Sequence, residues 1–241
     1  EKDNSFAEAF FFKKANNFFY LPYIKNQISK KLLSEDYFDF ETAYGYSGPL
    51  SNSEDKVFLN QAWENFNIFC SKARIIAGLI RFNPFLNNHL ISKQKFIRIS
   101  FEKDIVIKNL KKDSKDIYEQ YEKDVKSNIK KAIKNNILIN IDDSTDAIKS
   151  FRKLYIKLLK TKKTNDFYFF TENYFSKLSQ NLSKNYIVIL AKKNDEIVGA
   201  ALVLISGQVA ILHLSATDRK FSKFGTASLL RHEVVKYSYN N

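Results

Sequence analysis

The sequence predicts an α/β (α+β) fold in which mixed, mostly antiparallel sheets are flanked by helices. The chain opens with two runs rich in aromatic and β-branched residues, at 6–12 and 18–24, which are typical of strands. Its middle, from 113 to 182, carries apolar residues at helical spacing. Three apolar runs between 186 and 214 are separated by turns too short for anything but antiparallel hairpins.

Length and composition allow one large domain or two small ones. The chain has 241 residues, and a single core tends to stop growing near ~250 residues. With 44% hydrophobic and 15% aromatic residues, the chain is too apolar to be disordered. One cysteine, Cys70, and three histidines provide neither a disulfide nor a zinc cluster. We therefore expect a metal-free protein in a reducing compartment.

Hydropathy and charge indicate where the protein is located and which kinds of molecule it attracts. The longest apolar run, 197–205, is far shorter than the ~20 residues of a membrane helix, and the charged start has no apolar signal core. We expect a cytoplasmic protein without a membrane span. The 39 Lys and Arg residues exceed the 26 Asp and Glu residues, so the formal net charge is +13. This charge attracts nucleic acid, nucleotide phosphates or an anionic membrane surface, although plain solubility is an equal alternative.

The first part of the chain predicts two strands, a shaped loop, a helix and another strand. Residues 41–52 hold two of the six glycines and one of the three prolines, which is turn chemistry. Ser53 or Asp55 can cap the following helix, whose apolar residues recur at helical spacing as far as Cys70. An apolar strand is predicted over 74–82.

The middle of the chain predicts three helices and one short strand. Asp113-Ser114 caps the first helix, whose apolar stripe runs from Ile117 to Ile133. A strand over 137–141 follows. The second helix is capped by Ser144 and the third by Thr171.

The last segment predicts a three-stranded meander, a basic loop and a helix. The strands cover 186–190, 197–205 and 209–214. We expect the third strand to splay from its neighbour near the helix that starts after Gly225. The chain stops at Asn241 with no further strand to cover the sheet edge, so we expect the last unit to be cut short.

The turn into the last helix is where we expect a phosphorylated ligand. The first N–H groups of a helix are unpaired, and its dipole favours anions. Gly225 would let a ligand approach the backbone, and Thr226 would cap the helix or bind a phosphate oxygen. The alternative is a surface loop with a structural glycine.

Residues 209–233 resemble the strand, basic loop and helix of GNAT-type N-acyltransferases. In that family a Gln/Arg-x-x-Gly-x-Gly/Ala turn binds the coenzyme A pyrophosphate. Gly225 and Ala227 match the turn, whereas Ser222 stands where Gln or Arg is expected, so that Lys223 or Arg219 would have to substitute. The resemblance implies that the donor is bound by Arg219, Lys223, Phe224, Gly225, Thr226 and Ala227.

The wider chain resembles the FemABX family, whose members use two GNAT-like halves to move aminoacyl groups from aminoacyl-tRNA onto peptidoglycan precursors. Residues 121–136 look like that family's basic R-x-N-I-R-K-A helix, with Lys in place of Arg. Residues 161–175 resemble the segment after its next helix. The loop 44–49 and the segment 81–85 resemble its first half.

This second resemblance implies tandem GNAT-like halves. We place the first half at 1–110 and the second, with the basic helices and the donor turn, at 111–241. The helix near 55–71 is then expected to take the part in the first half that the helix near 224–237 takes in the second.

Acyl transfer to an amine requires a deprotonated amine, aligned reactants and a stabilised oxyanion. In GNAT-like folds the oxyanion donor is usually a backbone N–H on the strand before the basic loop, which here implies Leu214 to Ala216, with Ser215 at the centre. His213 and Tyr237 are the side chains that we assign to catalysis. The alternative is a hydrogen-bonded structural role for His213 and an ordinary position on a helix face for Tyr237.

The acceptor site is expected to combine an aromatic loop with basic residues. Tyr44 and Tyr46 would stack on a sugar or a base, and Lys130 and Lys131 would bind the acceptor. We predict that the two tyrosines converge with four residues of the second half, namely His213, Ser215, Arg219 and Lys223.

The basic helices also allow a nucleic-acid interpretation. Residues 150–163 contain six Lys or Arg residues and no acid, and five lysines line the helix that ends near 134. If these residues bind, they contact phosphates in a salt-sensitive way without base specificity. Solvation of an exposed helix face is the alternative.

The sequence therefore supports two functions. The first is a FemABX/GNAT-like enzyme that moves an acyl or aminoacyl group onto an amine of a cell-envelope precursor or surface sugar. It implies no tightly bound cofactor and no metal, with acyl-coenzyme A or aminoacyl-tRNA as the donor substrate. Its partners would be a nucleotide-linked or lipid-linked envelope precursor, tRNA and a peripheral membrane surface. The second is a non-catalytic protein that binds RNA or anionic lipid, in which the Gly225 turn is only structural.

Overall fold

A computed structural model describes residues 5–29, 35–110, 117–162 and 165–241. The chain divides into two compact units, unit 1 from Glu1 to Val106 and unit 2 from Ile107 to Asn241. Among the described residues, no helix is long and apolar enough to cross a membrane.

Unit 1 is a mainly antiparallel sheet with one helix against it. Strands β1 (Ser5–Lys14) and β2 (Asn17–Gln27) are the two predicted strands and form a hairpin, and β3 (Phe38–Glu41) pairs with the other edge of β2. The two-residue strand β4 (Leu50–Ser51) also pairs with β2. Helix α1 (Lys56–Lys72) leads to β5 (Ile75–Leu79), which lies parallel to β3.

Aromatic side chains fill the core of unit 1. Alternate residues of β2 point inward, and Phe19, Leu21 and Tyr23 are buried as the strand period requires. They pack against Trp63 and Phe66 of α1. The Asp55 side chain accepts a hydrogen bond from the Val57 N–H at 2.9 Å and so starts α1 as predicted.

Unit 2 is a four-stranded antiparallel sheet between two pairs of helices. Its strands lie in the order β6, β7, β8, β9. The elements, in chain order, are α2 (Lys123–Lys134), β6 (Leu138–Asp142), α3 (Thr145–Lys162), α4 (Glu172–Leu182), β7 (Tyr186–Lys193), β8 (Glu196–Ser206), β9 (Val209–Thr217), the one-turn α5 (Arg219–Ser222) and α6 (Thr226–Asn240).

Each face of the second sheet has its own apolar cluster. Helices α3 and α4 cover one face, where Phe151 and Phe175 pack against Val188 and Leu202. Helices α2 and α6 cover the other face with a second cluster, which includes Ile129. The first six residues of β7, 186–191, are all buried because both faces of that strand are covered.

Two helix starts confirm the sequence prediction and one does not. The Ser144 hydroxyl accepts from the Ala147 N–H at 3.1 Å, and the Thr171 hydroxyl accepts from the Tyr174 N–H at 3.2 Å. Helix α2, however, begins at Lys123, and turns precede it. The predicted cap at 113–114 lies outside the described residues. Ile133, assigned to the buried stripe, is 60% exposed, because it falls at the edge of the face that packs on the sheet.

The two units repeat one order of elements. In unit 1 the strands β1, β2 and β3 lie side by side and precede α1, and in unit 2 the strands β7, β8 and β9 do the same before α6. This order gives α1 the topological place of α6, as the tandem prediction requires. The sequence did not predict β3, whose four residues alternate acids with phenylalanines.

Candidate donor site at the end of strand β9

Strand β9 carries a β-bulge at His213. Leu202 of β8 pairs with Leu214, but the next residue of β8, Val203, pairs with Leu212, so His213 is an extra residue. Side chains normally alternate across a sheet, yet both His213 and Leu214 contact the layer of α3 and α4. The predicted splay of β9 from β8 is therefore wrong. The strands stay paired, and the bulge turns His213 toward the helices.

The His213 ring meets a tyrosine from α4. Its Nε2 lies 2.7 Å from the hydroxyl of Tyr174. Burial lowers the pKa of His213, because a low-dielectric surrounding disfavours the imidazolium form. Burial thus favours the neutral form of the His213 ring. Sequence reasoning missed Tyr174, since 39 residues separate it from His213.

Backbone N–H groups of β9 point to an open sheet edge. The Asp218 N–H donates to the Val198 carbonyl at 2.9 Å, so these two residues form a hydrogen-bonded pair. Bonded and non-bonded pairs alternate in an antiparallel ladder, and Ser215 and Thr217 occupy the non-bonded positions. Their N–H groups point away from β8, and in the part of the chain that is described β9 is the last strand of its sheet.

This alternation reduces the number of residues whose backbone N–H could stabilise the oxyanion. Leu214 and Ala216 direct their N–H groups into the ladder with β8, and their side chains pack in the cluster under α3 and α4. Of the three predicted residues, Ser215 is the one whose N–H faces the open edge. Its side chain is exposed.

Asp218 connects the end of β9 to two helices. Its Oδ1 accepts from the Lys220 N–H at 3.0 Å, which caps α5, and its Oδ2 lies 2.6 Å from Nζ of Lys157 on α3. The hydrogen bond from Lys157 lowers the pKa of the Asp218 carboxyl, and the Lys220 N–H adds to the effect. The Asp218 side chain is only 8% exposed. An Asp directly before two basic residues was the sequence signal for this cap, and it was missed.

Glycine is required at position 225 for a different reason from the predicted one. Its φ of 80° is left-handed, and it accepts from the N–H groups of Ser228 and Leu229 at the start of α6. A Cβ on Gly225 would lie 2.1 Å from the carbonyl oxygen of Asn128 in α2. The close approach is therefore made by a neighbouring helix, and the expectation that a ligand takes this place is wrong.

Thr226 is also occupied within the protein. Its side chain is fully buried, and its hydroxyl donates to the Phe221 carbonyl at 3.1 Å. The hydroxyl thus stabilises the turn, and the expected contact with a phosphate oxygen is wrong. Ala227 follows on the first turn of α6, where backbone N–H groups lack intrahelical partners.

Exposed cations surround this helix start. Arg219 and Lys223 are both exposed. Lys223 and Lys193 lie over the ring of Phe224, with Nζ atoms 5.2 and 5.3 Å from its centroid. The turn therefore combines positive charge, helix N–H groups and an aromatic ring, which suits a phosphorylated ligand.

The remaining predicted residues lie elsewhere. Tyr237 is half-buried among the apolar side chains under α2 and α6, which is a packing position. Lys130 and Lys131 are exposed on α2. Tyr44 and Tyr46 are 47% and 41% exposed in the unit 1 loop, beside Gly45 with φ 108°. Their convergence with residues of unit 2 stays a prediction.

The fold and the site together define a class of protein. An antiparallel meander that leads through a basic turn into a helix is the arrangement that sequence resemblance predicted for an acyltransferase of the GNAT type, and the structure adds a bulge beside the open edge of the last strand. A bulge next to such an edge re-aims side chains at a functional site.

Comparison with known proteins agrees with this class. The family model described as an acetyltransferase (GNAT) domain matches residues 120–241, half of the chain, and the chain belongs to that family. The crystal structure of FemX matches with a TM-score of 0.64 and 11% identity, over 98% of this chain and 77% of that one. The chain therefore has a FemX-like fold.

A second solved structure has the same fold. It is the C-terminal domain of a putative lysylphosphatidylglycerol synthetase from Agrobacterium fabrum, with a TM-score of 0.63 and 13% identity, over 97% of this chain and 67% of that one. No curated protein matches the sequence significantly.

Proposed function

We propose that this chain moves an acyl or aminoacyl group onto an amine of a cell-envelope precursor or surface sugar in the cytoplasm. The observation that carries the proposal is the open edge of β9, where the Ser215 N–H follows the bulge at His213. Membership of the GNAT family supports acyl transfer in general. The resemblance to FemABX transferases supports the envelope acceptor, which is linked to a nucleotide or a lipid.

In the proposed reaction the amine nitrogen attacks the carbonyl carbon of the donor. The new C–N bond forms, and the C–S bond of a thioester or the C–O bond of an aminoacyl ester then breaks. The Ser215 N–H stabilises the oxyanion of the tetrahedral intermediate. Neutral His213 accepts the proton of the attacking amine, while the hydroxyl of Tyr174, 2.7 Å from its Nε2, holds the ring in place.

The donor in this proposal carries phosphate. Arg219, Lys223 and the N–H groups at the start of α6 bind either the pyrophosphate of acyl-coenzyme A or the phosphates at the end of an aminoacyl-tRNA. Tyr44, Tyr46, Lys130 and Lys131 remain our candidates for acceptor binding. Tyr237 leaves the list of catalytic candidates because it is half-buried among apolar side chains.

Replacement of Ser215 by proline tests the oxyanion role. Proline removes the N–H, yet the fold should tolerate it because this N–H is not used in the ladder with β8. We expect Ser215→Pro to lower the transfer rate by about 10²- to 10³-fold, as loss of one oxyanion donor does elsewhere. The matched variant Ser215→Ala keeps the N–H and should keep the rate.

The assay should offer two donors to the same panel of envelope precursors. Transfer from acyl-coenzyme A or from aminoacyl-tRNA, detected as acylated product by mass spectrometry, would each support the proposal and would decide the donor. Equal rates for Ser215→Pro and wild type would contradict the assignment of the oxyanion site.

Binding without catalysis is the second candidate function. Helix α2 supports it, since Lys123, Lys126, Lys130, Lys131 and Lys134 occur within 12 residues. Under this second candidate function, the chain would bind RNA or anionic lipid and would give no acylated product with either donor. An Arg219→Ala/Lys223→Ala variant separates the two, because it should weaken donor binding but leave polyanion binding by α2 intact.

A further inference from the structure

Three aromatic rings form a stack that leads to His213. Phe170, just before α4, stacks on Tyr174 with ring centroids 4.6 Å apart and an angle of 23° between the planes. Tyr155 of α3 stacks on Phe170 as well, at 6.4 Å and 13°. The hydroxyl of Tyr174 lies 2.7 Å from Nε2 of His213. We call Tyr155, Phe170 and Tyr174 the aromatic stack.

The aromatic stack connects two helices. Tyr155 lies on α3 and Tyr174 on the first turn of α4, while Phe170 belongs to the segment that precedes α4. The Tyr155 hydroxyl donates to the carbonyl of Tyr168 at 3.1 Å, so α3 also holds the backbone of this segment. Phe170 is therefore held by α3 and in turn contacts α4.

The ring of Tyr174 is fixed by two neighbouring rings. Phe170 stacks on it, and Phe175, which is 2% exposed, meets it edge-on with ring centroids 5.2 Å apart. The Tyr174 N–H donates to the Thr171 hydroxyl, which fixes the backbone at the start of α4. The position of the Tyr174 hydroxyl, and with it the contact to His213, therefore depends on the ring of Phe170.

We infer that Phe170 is a positioning residue for acyl transfer, which acts on His213 through the ring of Tyr174. The inference rests on the proposed function, in which His213 accepts the proton of the attacking amine. Misplacement of a reacting group by about 1 Å can lower a rate about 10²-fold. A ring that keeps Tyr174 in place therefore affects the rate through the orientation of His213.

A purely structural role for Phe170 is the alternative. Phe170 precedes Thr171, the N-cap of α4, and an apolar residue at this position often packs on the start of a helix. In that role Phe170 would stabilise α4, and its loss would lower the amount of folded protein without changing the orientation of His213. The experiments must therefore separate orientation from stability.

A double-mutant cycle tests whether Phe170 acts through Tyr174. With whichever donor gives acylated product, we expect Phe170→Leu to lower kcat about 10- to 100-fold and to leave KM near the wild-type value. In a chain that already carries Tyr174→Phe, which removes the hydroxyl contact to His213, the same change should have little further effect. Phe170→Tyr keeps the ring and should keep the rate.

Nitrogen NMR of the His213 ring gives a second measurement, which needs no substrate. At about pH 8, above the ordinary histidine pKa near 6.5, we expect one tautomer with two well-separated ring ¹⁵N shifts, because the contact at Nε2 selects the position of the proton. Phe170→Leu should bring the two shifts closer together, and Phe170→Tyr should not. His213→Gln identifies these signals among those of the three histidines.

Phe167→Leu is the matched control. Phe167 belongs to the same segment but is 53% exposed, and its ring meets Tyr168 edge-on. This change should leave both kcat and the His213 shifts as in wild type. Urea unfolding gives the folded fraction of each variant, so that rates are compared per folded molecule.

Three results would overturn the inference. Additive losses in the cycle would show that Phe170 acts independently of Tyr174. Unchanged His213 shifts in Phe170→Leu would show that the ring does not orient His213. A higher KM with an unchanged kcat would mean that Phe170 contributes to substrate binding instead.

The inference and the proposed function can fail separately. Transfer by Phe170→Leu at the wild-type rate would keep the enzyme and overturn the inference. Altered His213 shifts in a chain that gives no transfer from either donor would support the orientation of His213 by Phe170 and remove the enzyme.

Discussion

Units 1 and 2 repeat three strands and a helix but finish them differently. In unit 1, β5 follows α1 and pairs with β3, and beyond β3 the Thr42 N–H donates to the Leu79 carbonyl at 3.0 Å. The Thr42 hydroxyl also accepts from the Arg81 N–H at 2.9 Å. In unit 2, Ser215 and Thr217 face no strand in the described part of the chain. The same order of elements thus leaves the edge of β3 covered by β5 in unit 1 and the edge of β9 open in unit 2.

The two units also differ in charge. Residues 1–106 contain 14 Lys and Arg against 12 Asp and Glu, a net charge of +2. Residues 107–241 contain 25 against 14, a net charge of +11. Electrostatic attraction for anions is therefore concentrated in unit 2.

This comparison separates the repeated fold from the site. Thr42 is fully buried and its polar groups are bonded within the chain, so the described residues at the end of β3 offer no counterpart to the N–H groups of β9 that point to the open edge. The donor site that we propose needs both an open edge and a positive turn, and unit 2 has these two features. The predictions below test each part of that difference.

Gly225→Ala should have the largest effect on stability. The new Cβ would overlap the Asn128 carbonyl at 2.1 Å, and a left-handed φ of 80° adds backbone strain. We expect the free energy of unfolding, measured with urea, to fall by about 2 to 5 kcal/mol, from about 1–2 for strain and about 1–3 for overlap.

Gly207→Ala is the matched control for that variant. Gly207 is also left-handed, with φ 55°, but a Cβ there would meet nothing within 4 Å. The expected loss is about 1 kcal/mol, from strain alone. Equal losses for the two glycines would show that the contact of Gly225 with α2 is not tight.

Thr42→Val compares the closed edge with the open one. It leaves the Arg81 N–H buried without the Thr42 hydroxyl, which should lower the free energy of unfolding by about 1–3 kcal/mol. The same change at the open edge, Thr217→Val, should stay within about 0.5 kcal/mol. Similar losses in chemical denaturation would mean that the two edges are equally closed.

Lys157→Met should lower the free energy of unfolding by a smaller amount that depends on pH. The Lys157 hydrogen bond lowers the pKa of Asp218, so this stabilisation is present above the unfolded value near 3.9 and is lost as pH falls through the folded one. Asp218 in turn raises the pKa of Lys157, so the stabilisation is complete below about pH 10.4 and is lost as pH rises through the folded pKa.

At pH 7 we expect Lys157→Met to cost about 1 kcal/mol, a modest figure because the Lys157 side chain is 58% exposed and screened by solvent. The difference in unfolding temperature between this variant and wild type should disappear as pH falls below about 4. Lys149→Met, which removes an exposed pair, is the control and should have little effect. A gap that stays constant into acid would indicate lost packing of the lysine stem instead.

Local signals were enough for most of the fold. The caps at Asp55, Ser144 and Thr171 and the three hairpin strands of unit 2 were all predicted, because caps and hairpin turns depend on neighbours in sequence. Strand β3 was missed because its four residues are too few for a periodic pattern.

The site was harder to predict because its contacts are distant in sequence. Lys157 and Asp218 are 61 residues apart, and Gly225 meets a residue of α2 almost a hundred positions earlier. The bulge at His213 has no signal in the residues themselves, since it appears only in the register of β9 against β8. The basic turn was predicted, whereas the partners that shape it were not.

The contact between Gly225 and Asn128 makes α2 part of the scaffold of the turn where we propose that the donor binds. Two helix backbones meet where neither can move closer, so a shift of α2 along its axis would carry the turn with it. A shortened chain that began at β6 would keep every residue of the turn motif and lose the surface that fixes its position. Changes in α2, far from the motif in sequence, should therefore alter donor affinity as much as changes within it.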